Sequence, residues 1–243
     1  MKIVGCIPSR YASTRLPGKP LCDIAGKPMV LHVLERAKQT KQLHDVVVLT
    51  DDERILNVVI EAGHHAVMTS TECHSGTDRI AEYMNQHSDA DVFVNMQGDE
   101  VLLDPDHIDR LTVDFVNQQN PTMGTLAHPI YDRAIMADPH TVKVVTRKNG
   151  NALYFSRNCI PLCHNGELPE RALGHIGVYI YTRATLQAIT SSERTPLEKT
   201  ESLEQLRALE NNIDIHVTVI EDFHSLSVDT PADLEKARAI FSG

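Results

Sequence analysis

The first half of the chain alternates short apolar runs with segments of helical hydrophobic spacing. Buried strands are predicted by the runs at 3–7, 46–49, 65–68 and 91–96. Helices are predicted between and after them, over about 28–39, from Asp51 through Ile60, after Ser75 and over 105–118. Strands that alternate with helices are typical of an α/β fold with a largely parallel sheet.

Beyond residue 120 the pattern changes to adjacent strands. Strand-like segments at 122–129 and 140–147 precede Asn149-Gly150, a dipeptide typical of hairpin turns, and then the run at 152–155. The segment 213–220 alternates like a half-buried strand, and Pro231 opens a last helix that begins at Asp229 or Thr230. We therefore expect an antiparallel addition to the parallel sheet, within one domain over residues 1–243.

Composition narrows the class of protein. The chain has 243 residues, 42% hydrophobic and 23% charged, as expected for a globular protein. Its net charge of −10 argues against nucleic acid as a partner. No apolar run approaches the length of a membrane span and the start does not resemble a signal peptide, so we expect a cytoplasmic protein that does not bind membranes.

The cysteines are expected to be free thiols, because their number is odd and their spacing is not that of a disulfide scaffold. They are Cys6, Cys22, Cys73, Cys159 and Cys163. A zinc site is not favoured, since the Cys159, Cys163 and His164 group has no second ligand pair at the usual spacing.

Three cations follow the first strand, where a parallel sheet binds its ligands. Arg10, Arg15 and Lys19 lie between Pro8 and the end of a Pro17-Gly18 turn. They could form a solvated surface run. An acidic protein does not need them for solubility, however, so binding of a phosphate group by side chains is the favoured interpretation. The glycine patterns of the P-loop and of dinucleotide-binding folds are absent.

Two further strand ends carry polar groups, each with two open interpretations. Ser75-Gly76 opens a helix, where the serine caps the helix or the loop reads the edge of a base such as cytosine. Gly98-Asp99 follows the strand at 91–96, where it forms a simple turn or supplies a carboxylate for a divalent metal on a triphosphate.

Several stretches resemble the sugar-acid cytidylyltransferases, specifically the family that acts on 3-deoxy-manno-octulosonate (Kdo). The amino-terminal signature is matched by I-P-S-R-Y-A-S-T-R-L-P-G-K-P-L at 7–21. Further matches are S-G-T-D-R at 75–79, Q-G-D-E at 97–100, Y-F-S-R at 154–157, H-I-G-V-Y at 175–179, L-E-K-T-E-S-L-E-Q-L-R at 197–207 and V-D-T-P-A-D-L at 228–234. The chain departs from the family at Ser9, at Val101 in place of proline and at Ser227 in place of glycine.

The resemblance implies a Rossmann-like nucleotidyltransferase fold with a mostly parallel mixed sheet. It implies an enzyme that transfers CMP from CTP to a 3-deoxy ulosonic acid, with Kdo expected, giving the CMP-sugar and pyrophosphate in lipopolysaccharide precursor synthesis. Residues 1–128 would bind the nucleotide, and 129–243 would bind the sugar acid and form a homodimer. Mg²⁺ is the implied cofactor.

The resemblance also assigns roles to individual residues. The nucleotide is assigned to Pro8, Arg10, Arg15, Lys19, Ser75, Gly76 and Gln97. The sugar acid is assigned to Gln97, Arg157, His175, Glu204 and Gln205. The metal is assigned to Asp99 and Asp229, which form the catalytic set with Arg10 and Lys19.

Each of these residues could instead have a purely structural role. Asp229 could be no more than the cap of the last helix. The sugar-acid residues could be an arginine on a turn, a histidine at the start of a strand and part of a surface helix over 197–207.

Other functions remain alternatives. The acceptor could be an amino-substituted Kdo analogue, which differs far from the reacting centre, or the chain could be a catalytically inactive nucleotide-binding relative. A glycosyltransferase of similar fold would typically need an Asp-x-Asp pair. The Gly98-Asp99-Glu100 motif and the preceding cations argue against that class.

Overall fold

The computed structural model describes residues 1–12, 15–162, 164, 166–224 and 226–242. The chain divides into two compact units, Met1–Asp109 with His224–Gly243, and Arg110–Phe223. The first unit thus contains segments from both ends of the chain. The predicted portions 1–128 and 129–243 stay a prediction.

The first unit contains a parallel sheet with connecting helices. Its strands are β1 (Ile3–Ser9), the short β2 (Asp23–Ile24) and β3 (Lys27–Pro28), β4 (Asp45–Thr50), β5 (His65–Met68) and β6 (Val92–Asn95). Its helices are α1 (Met29–Ala37), α2 (Glu53–Glu61), α3 (Gly76–His87) and α4 (Pro105–Val116), which spans the boundary in sequence. Each predicted strand and helix of this unit is confirmed.

The strand order of this unit creates a place for a ligand. β1 pairs in parallel with β4 on one side and with β6 on the other, and β5 continues in parallel beyond β4. The chain therefore moves outward from β1 to β5 and then returns to the other side of β1. Open α/β sheets bind ligands at the carboxyl edge where the strand order reverses in this way.

The second unit is mainly antiparallel. Its strands are β7 (Met123–Pro129), β8 (Lys143–Thr146), β9 (Ala152–Ser156), β10 (Leu173–Thr182) and β11 (Ile215–Val219). Its helices are α5 (Arg133–Ala137), α6 (Arg183–Ser191), α7 (Pro196–Glu201) and α8 (Gln205–Glu210), and the first unit resumes with α9 (Pro231–Ser242). β7 pairs antiparallel with β10 and parallel with β11, while β8 pairs antiparallel with β10 and β9.

These pairings confirm the predicted α/β class with a mixed, mostly parallel sheet. The predicted hairpin between β8 and β9 is also confirmed, and its turn needs the positive φ of 87° at Gly150. The interpretation of 197–207 as one surface helix is wrong. Ser202 has a φ of 54° and separates α7 from α8, and Glu198 and Arg207 form a buried ion pair at 2.8 Å.

The structure bears on the predictions about the cysteines, a metal site and a membrane span. Cys6, Cys22, Cys73 and Cys159 are free thiols, and Cys163 lies outside the described residues. Across the described ranges, no cluster of three or more histidine, cysteine or acidic side chains is arranged to hold a metal. In the same part of the chain, no helix combines the length and apolar character that crossing a bilayer requires.

Candidate active site

The loop after β1 is held in a compact form that sets the position of Lys19. Gly18 donates its N–H to the carbonyl of Tyr11 at 3.3 Å, and the Arg54 guanidinium lies 3.4 Å from the centre of the Tyr11 ring. Gly18 has a φ of 66°, a conformation that glycine adopts without strain. A 3-10 turn then begins at Lys19. The cations are therefore presented by a loop that is held by a hydrogen bond within it and by a contact with α2.

The turn after β6 lies directly against the end of β1. A Cβ added to Gly98 would lie 2.9 Å from the carbonyl oxygen of Pro8 and 2.8 Å from the hydroxyl of Ser9. The main chain carbonyl would have to shift, which a buried strand end resists. Glycine at this position therefore allows the two strand ends to come close and brings Asp99 next to the cationic loop.

We expect Gly98→Ala to destabilise the protein and to lower activity. Overpacking of this kind costs about 1–3 kcal/mol in the free energy of unfolding. Gly63→Ala is the matched control: its φ of 77° makes alanine unfavourable, yet nothing lies within 4 Å of the added carbon. Thermal unfolding and turnover measured on both variants should show stability losses in each but an activity loss, beyond that explained by unfolding, only at Gly98. Equal activities would contradict the prediction.

Hydrogen bonds to the Asp99 carbonyl bring a second carboxylate to the same place. The carbonyl accepts the N–H of Val101 at 3.1 Å and the N–H of Val228 at 3.0 Å. A proline at 101 would lack the first donor, so the departure from the family motif adds a bond to the turn. The second bond ties the residue before Asp229 to the Asp99 turn.

The two carboxylates share the ammonium of Lys19. Its Nζ lies 2.6 Å from Asp99 Oδ2 and 3.0 Å from Asp229 Oδ1, and Arg15 Nη2 also lies 3.0 Å from Asp229 Oδ1. Burial by itself lowers the pKa of Lys19, but Asp99 and Asp229 outweigh burial and raise the pKa above its ordinary value. Lys19 is thus a fixed positive charge between two negative ones.

Asp229 is not the cap of the last helix. Thr230 fills that position, because its Oγ1 accepts the N–H of Asp233 at 3.3 Å and the Asp233 carboxylate accepts the N–H of Thr230 at 3.1 Å. The alternative that Asp229 only caps the last helix is therefore wrong. Its side chain is left to face Lys19 and Arg15.

Glu100 adds a third carboxyl group beside this cluster. Burial, followed by the repulsion from Asp99, raises the pKa of Glu100 to about 7. The side chain of Ser227 hydrogen-bonds the Glu100 carboxyl and partly opposes the shift. Ser227, the residue that departs from the family glycine, thus has a partner in the site.

A cavity of about 310 Å³ collects the predicted nucleotide and metal residues of the first unit. It is lined by Pro8, Arg10, Arg15, Lys19, Ser75, Gly76, Gln97, Asp99 and Asp229. It is also lined by residues to which the sequence assigned no role in the site, namely Ser9, Pro20, Met29, Cys73, His74, Arg79 and Gly98. Most of these lie beside a predicted residue in the chain, so adjacency was the available signal.

The Ser75 loop combines the two interpretations left open by the sequence. Ser75 caps α3, since its hydroxyl accepts the N–H of Asp78 at 3.1 Å and the Asp78 side chain returns a bond at 3.0 Å. The cap interpretation is confirmed, and the same residue still lines the cavity. The buried Arg79 holds this wall by pairing with Asp51 at 2.9 Å and contacting the hydroxyl of Thr69.

Asp99 and Asp229 fit a magnesium ion by the chemistry of their donors. Mg²⁺ prefers hard oxygen ligands and is usually held by one or two carboxylates together with substrate phosphates and water. Both carboxylates here contact one cationic nitrogen, so they already converge on a single positive charge. The set has the right donor atoms and lies beside a cavity.

In the second unit, carbonyl groups surround Arg157. Its guanidinium donates from Nε to the Glu201 carbonyl at 3.0 Å, from Nη1 to the Pro139 carbonyl at 3.3 Å and from Nη2 to the Ser202 carbonyl at 3.5 Å. The Arg157 N–H donates to the Glu201 carboxylate at 3.0 Å. The arginine therefore links the end of β9 to α7 and to the segment that leads into α8.

His175 is a neutral, packed side chain. Burial lowers its pKa to about 3. Its Nε2 lies 2.9 Å from Thr125 Oγ1, and that hydroxyl donates to the Val178 carbonyl at 2.7 Å. Because a hydroxyl has one proton, His175 Nε2–H is the donor and Nδ1 is left as an acceptor.

Tyr179 interacts with two of the predicted residues, His175 and Glu204. Its ring lies 5.4 Å from the His175 ring, and burial, together with the charge of Glu204, raises the Tyr179 pKa well above its ordinary value. Gln205 is buried at the start of α8. The second unit thus brings His175 and Glu204 near Tyr179, which the sequence motif contained but the prediction did not select.

The second unit also has a separate cavity of about 400 Å³, the larger of these two. Its wall includes Tyr131, Arg147, Lys148, Arg171 and Glu221. None of the predicted sugar-acid residues lines it. The larger of the two cavities is therefore not the one that contains the predicted site residues.

The sheet order and the cavity define an α/β nucleotide-binding protein of the nucleotidyltransferase type. A family profile described as "Cytidylyltransferase" matches residues 4–215. The chain belongs to the cytidylyltransferase family.

Relatives and solved structures agree with this assignment. A protein of Myxococcus xanthus named 3-deoxy-manno-octulosonate cytidylyltransferase is 45% identical over 98% of this chain and 96% of its own. One of the same name from Trichlorobacter lovleyi is 45% identical over 98% of both chains. A solved structure of CMP:2-keto-3-deoxy-manno-octonic acid synthetase complexed with CTP has a TM-score of 0.94 and 43% identity, over 100% of this chain and 99% of the other. The predicted nucleotidyltransferase fold is confirmed.

Proposed function

We propose that this protein transfers CMP from CTP to Kdo, giving CMP-Kdo and pyrophosphate for lipopolysaccharide precursors. The observation that carries the proposal is one cavity that Arg10, Arg15 and Lys19 line together with Asp99 and Asp229, with Lys19 in contact with both carboxylates. The full-length similarity to a synthetase solved with CTP supports the choice of nucleotide. The names of the relatives support the choice of sugar acid.

The reaction is a displacement at phosphorus. The anomeric hydroxyl oxygen of the sugar forms a bond to the α-phosphorus, the bond to pyrophosphate breaks, and the hydroxyl proton is released. No covalent intermediate with the enzyme is required, so the chain contributes alignment and charge stabilisation. Arg10, Arg15 and Lys19 would neutralise the phosphate oxygens, while Ser75 and Gly76 would lie along the nucleotide.

Mg²⁺ is the proposed cofactor, and Asp99 and Asp229 would hold it. When bound, the ion supplies further neutralisation of the phosphate charge. Gln97 lines the same cavity and is proposed to contact both substrates. His175, Glu204 and Gln205 are proposed to hold the sugar acid, with His175 acting as a neutral hydrogen-bonding group.

Arg157 is the proposed partner of the sugar carboxylate. Arg157→Lys keeps the positive charge but removes the planar pair of donors that grips a carboxylate. We expect KM for Kdo to rise tenfold or more, with KM for CTP changed by less than twofold. Arg147→Lys, at an exposed ion pair of the same unit, is the control. An equal rise for both substrates would place Arg157 outside the sugar-acid site.

Pyrophosphate release tests the function directly. The purified protein would be incubated with CTP, Mg²⁺ and a panel of ulosonic acids that includes Kdo and an amino-substituted analogue. Kdo-dependent release supports the proposal, and preference for the analogue would reassign the acceptor. Binding of CTP without release with any acceptor would show an inactive nucleotide-binding relative.

Location and assembly complete the proposal. A cytoplasmic location is part of the proposal, and a homodimer is supported by the resemblance of the chain to its family. Sedimentation of the purified protein would test the second point, with a single species of 27.1 kDa contradicting it.

A further inference from the structure

Lys143 is a buried cation enclosed by main-chain carbonyls. Its side chain in β8 is fully buried, and its Nζ donates to the carbonyls of Asp138 at 2.8 Å, Thr141 at 2.6 Å and Arg157 at 2.6 Å. A buried charge is unfavourable unless its hydrogen bonds are satisfied. An ammonium has three donors, and each one here has an oxygen partner. The arrangement therefore holds three points of the backbone at fixed distances from one nitrogen.

Two of the three carbonyls, those of Asp138 and Thr141, belong to a segment that also contacts the Arg157 side chain. The segment 138–141 contains Pro139, whose carbonyl accepts from Arg157 Nη1 at 3.3 Å. The third point is the Arg157 carbonyl itself. Lys143 thus fixes both the main chain of Arg157 and the loop on one side of its guanidinium.

α7 and its end brace the other side. The Glu201 carboxylate accepts the Ser156 hydroxyl at 2.6 Å and the Arg157 N–H at 3.0 Å, while the Glu201 carbonyl accepts Arg157 Nε. The Arg157 guanidinium is held between this segment and the segment that contains Pro139. Its orientation is consequently set by backbone groups on both sides.

In this orientation some N–H groups of the Arg157 guanidinium are not used by the described part of the protein. A guanidinium has five N–H groups. Within the part of the chain that the structure describes, carbonyls accept one from Nε, one from Nη1 and one, at 3.5 Å, from Nη2. One N–H on each Nη remains, and the hydrogen bonds that the two Nη atoms make are exposed to solvent. Such a pair can bind both oxygens of one carboxylate.

We propose that Lys143 is a positioning residue for the sugar acid: it fixes the 138–141 segment and the Arg157 main chain so that the guanidinium presents this pair of N–H groups to the substrate carboxylate. The inference rests on the proposed function, because it takes the acceptor to be a carboxylic acid. It adds a residue with no direct contact to substrate.

The test is Lys143→Met, which keeps most of the length and removes the ammonium. We expect KM for Kdo to rise tenfold or more, KM for CTP to change by less than twofold, and kcat to fall by less than threefold. Lys148→Met, at an exposed lysine of the same unit, is the control. An unchanged KM for Kdo, or an equal rise in both KM values, would overturn the proposal.

Two readouts separate positioning from a general structural role. The wild type should bind Kdo at least tenfold more tightly than the carboxamide of Kdo, and this ratio should shrink toward one in Lys143→Met. In addition, Lys143→Met combined with Arg157→Lys should be little worse than Arg157→Lys alone, because both act through one guanidinium. A retained ratio, or effects that multiply, would contradict the proposal.

A second variant covers the case in which Lys143→Met does not fold. Pro139→Gly changes an exposed residue and loosens the same segment, so KM for Kdo should rise threefold or more at constant KM for CTP. An unchanged KM for Kdo would overturn the proposal. Failure of the proposed function would look different, since the wild type itself would release no pyrophosphate with Kdo.

Discussion

Asp99→Asn and Asp229→Asn should each lower turnover by a factor of about a thousand or more, because charge stabilisation at the reacting phosphate is usually the largest contribution to such catalysis. The two side chains contact the same Lys19 nitrogen and so act on one point in the cavity. Residues that act as a unit are strongly non-additive. The double variant should therefore be little worse than either single one, as measured by steady-state pyrophosphate release over a range of Mg²⁺ concentrations.

The effect on folding should be small. Each carboxylate is partly exposed, and such ion pairs contribute about 1 kcal/mol or less to the free energy of unfolding. Asp106→Asn, at a carboxylate that is 81% exposed, is the matched control and should keep full turnover. Losses that multiply in the double variant, or an Asp229→Asn protein with an unchanged Mg²⁺ requirement, would show that the two residues do not form one metal site.

Lys19→Met should have the next largest effect. A hydrogen bond to a charged group contributes about 1.5–3 kcal/mol, so kcat/KM for CTP should fall by roughly ten- to a hundredfold. The structure also leads us to expect that Lys19→Met lowers stability, which the sequence alone did not suggest. Lys19 could be taken from the sequence as an exposed loop cation, but its side chain is only 16% exposed and separates two carboxylates. Its removal leaves Asp99 and Asp229 facing each other.

The sign of the pH dependence follows from the pKa of Lys19. The two carboxylates raise this pKa above its ordinary value in the folded protein, so Lys19 stabilises the fold below the ordinary lysine pKa, and this stabilisation is lost as the pH rises through the raised pKa. In Lys19→Met this contribution is absent, so the stability deficit relative to wild type should be full below the ordinary lysine pKa and should shrink as the pH rises through the raised pKa of Lys19. Lys41→Met, at a lysine that is 77% exposed, is the control for kinetics and for thermal unfolding. A variant with unchanged CTP kinetics would exclude Lys19 from phosphate binding.

The sequence predicted an element correctly where the residues of that element alone determine its structure. The apolar runs gave β1, β4, β5 and β6, and residues within one helical turn suggested Ser75 as a cap, whereas the choice of Thr230 over Asp229 as the cap of α9 came only from the structure. The break at Ser202 was missed because a single non-glycine residue with positive φ leaves no mark in the hydrophobic pattern. The burial of Arg207 was missed because its partner, Glu198, neutralises it only after α7 and α8 have packed.

The sequence by itself determined the class of fold, the cationic loop after β1 and the family whose motifs the chain carries. These features are written in contiguous residues, where spacing and side-chain chemistry act directly. The tertiary structure decided which distant groups meet: Asp229 approaches Asp99 because Val228 donates to the Asp99 carbonyl, and Arg157 is oriented because Lys143 and Glu201 bracket it. Each of these contacts has a backbone N–H or carbonyl on at least one side, and residues of almost every type carry such groups, so the residue types in the sequence do not reveal which of them will meet.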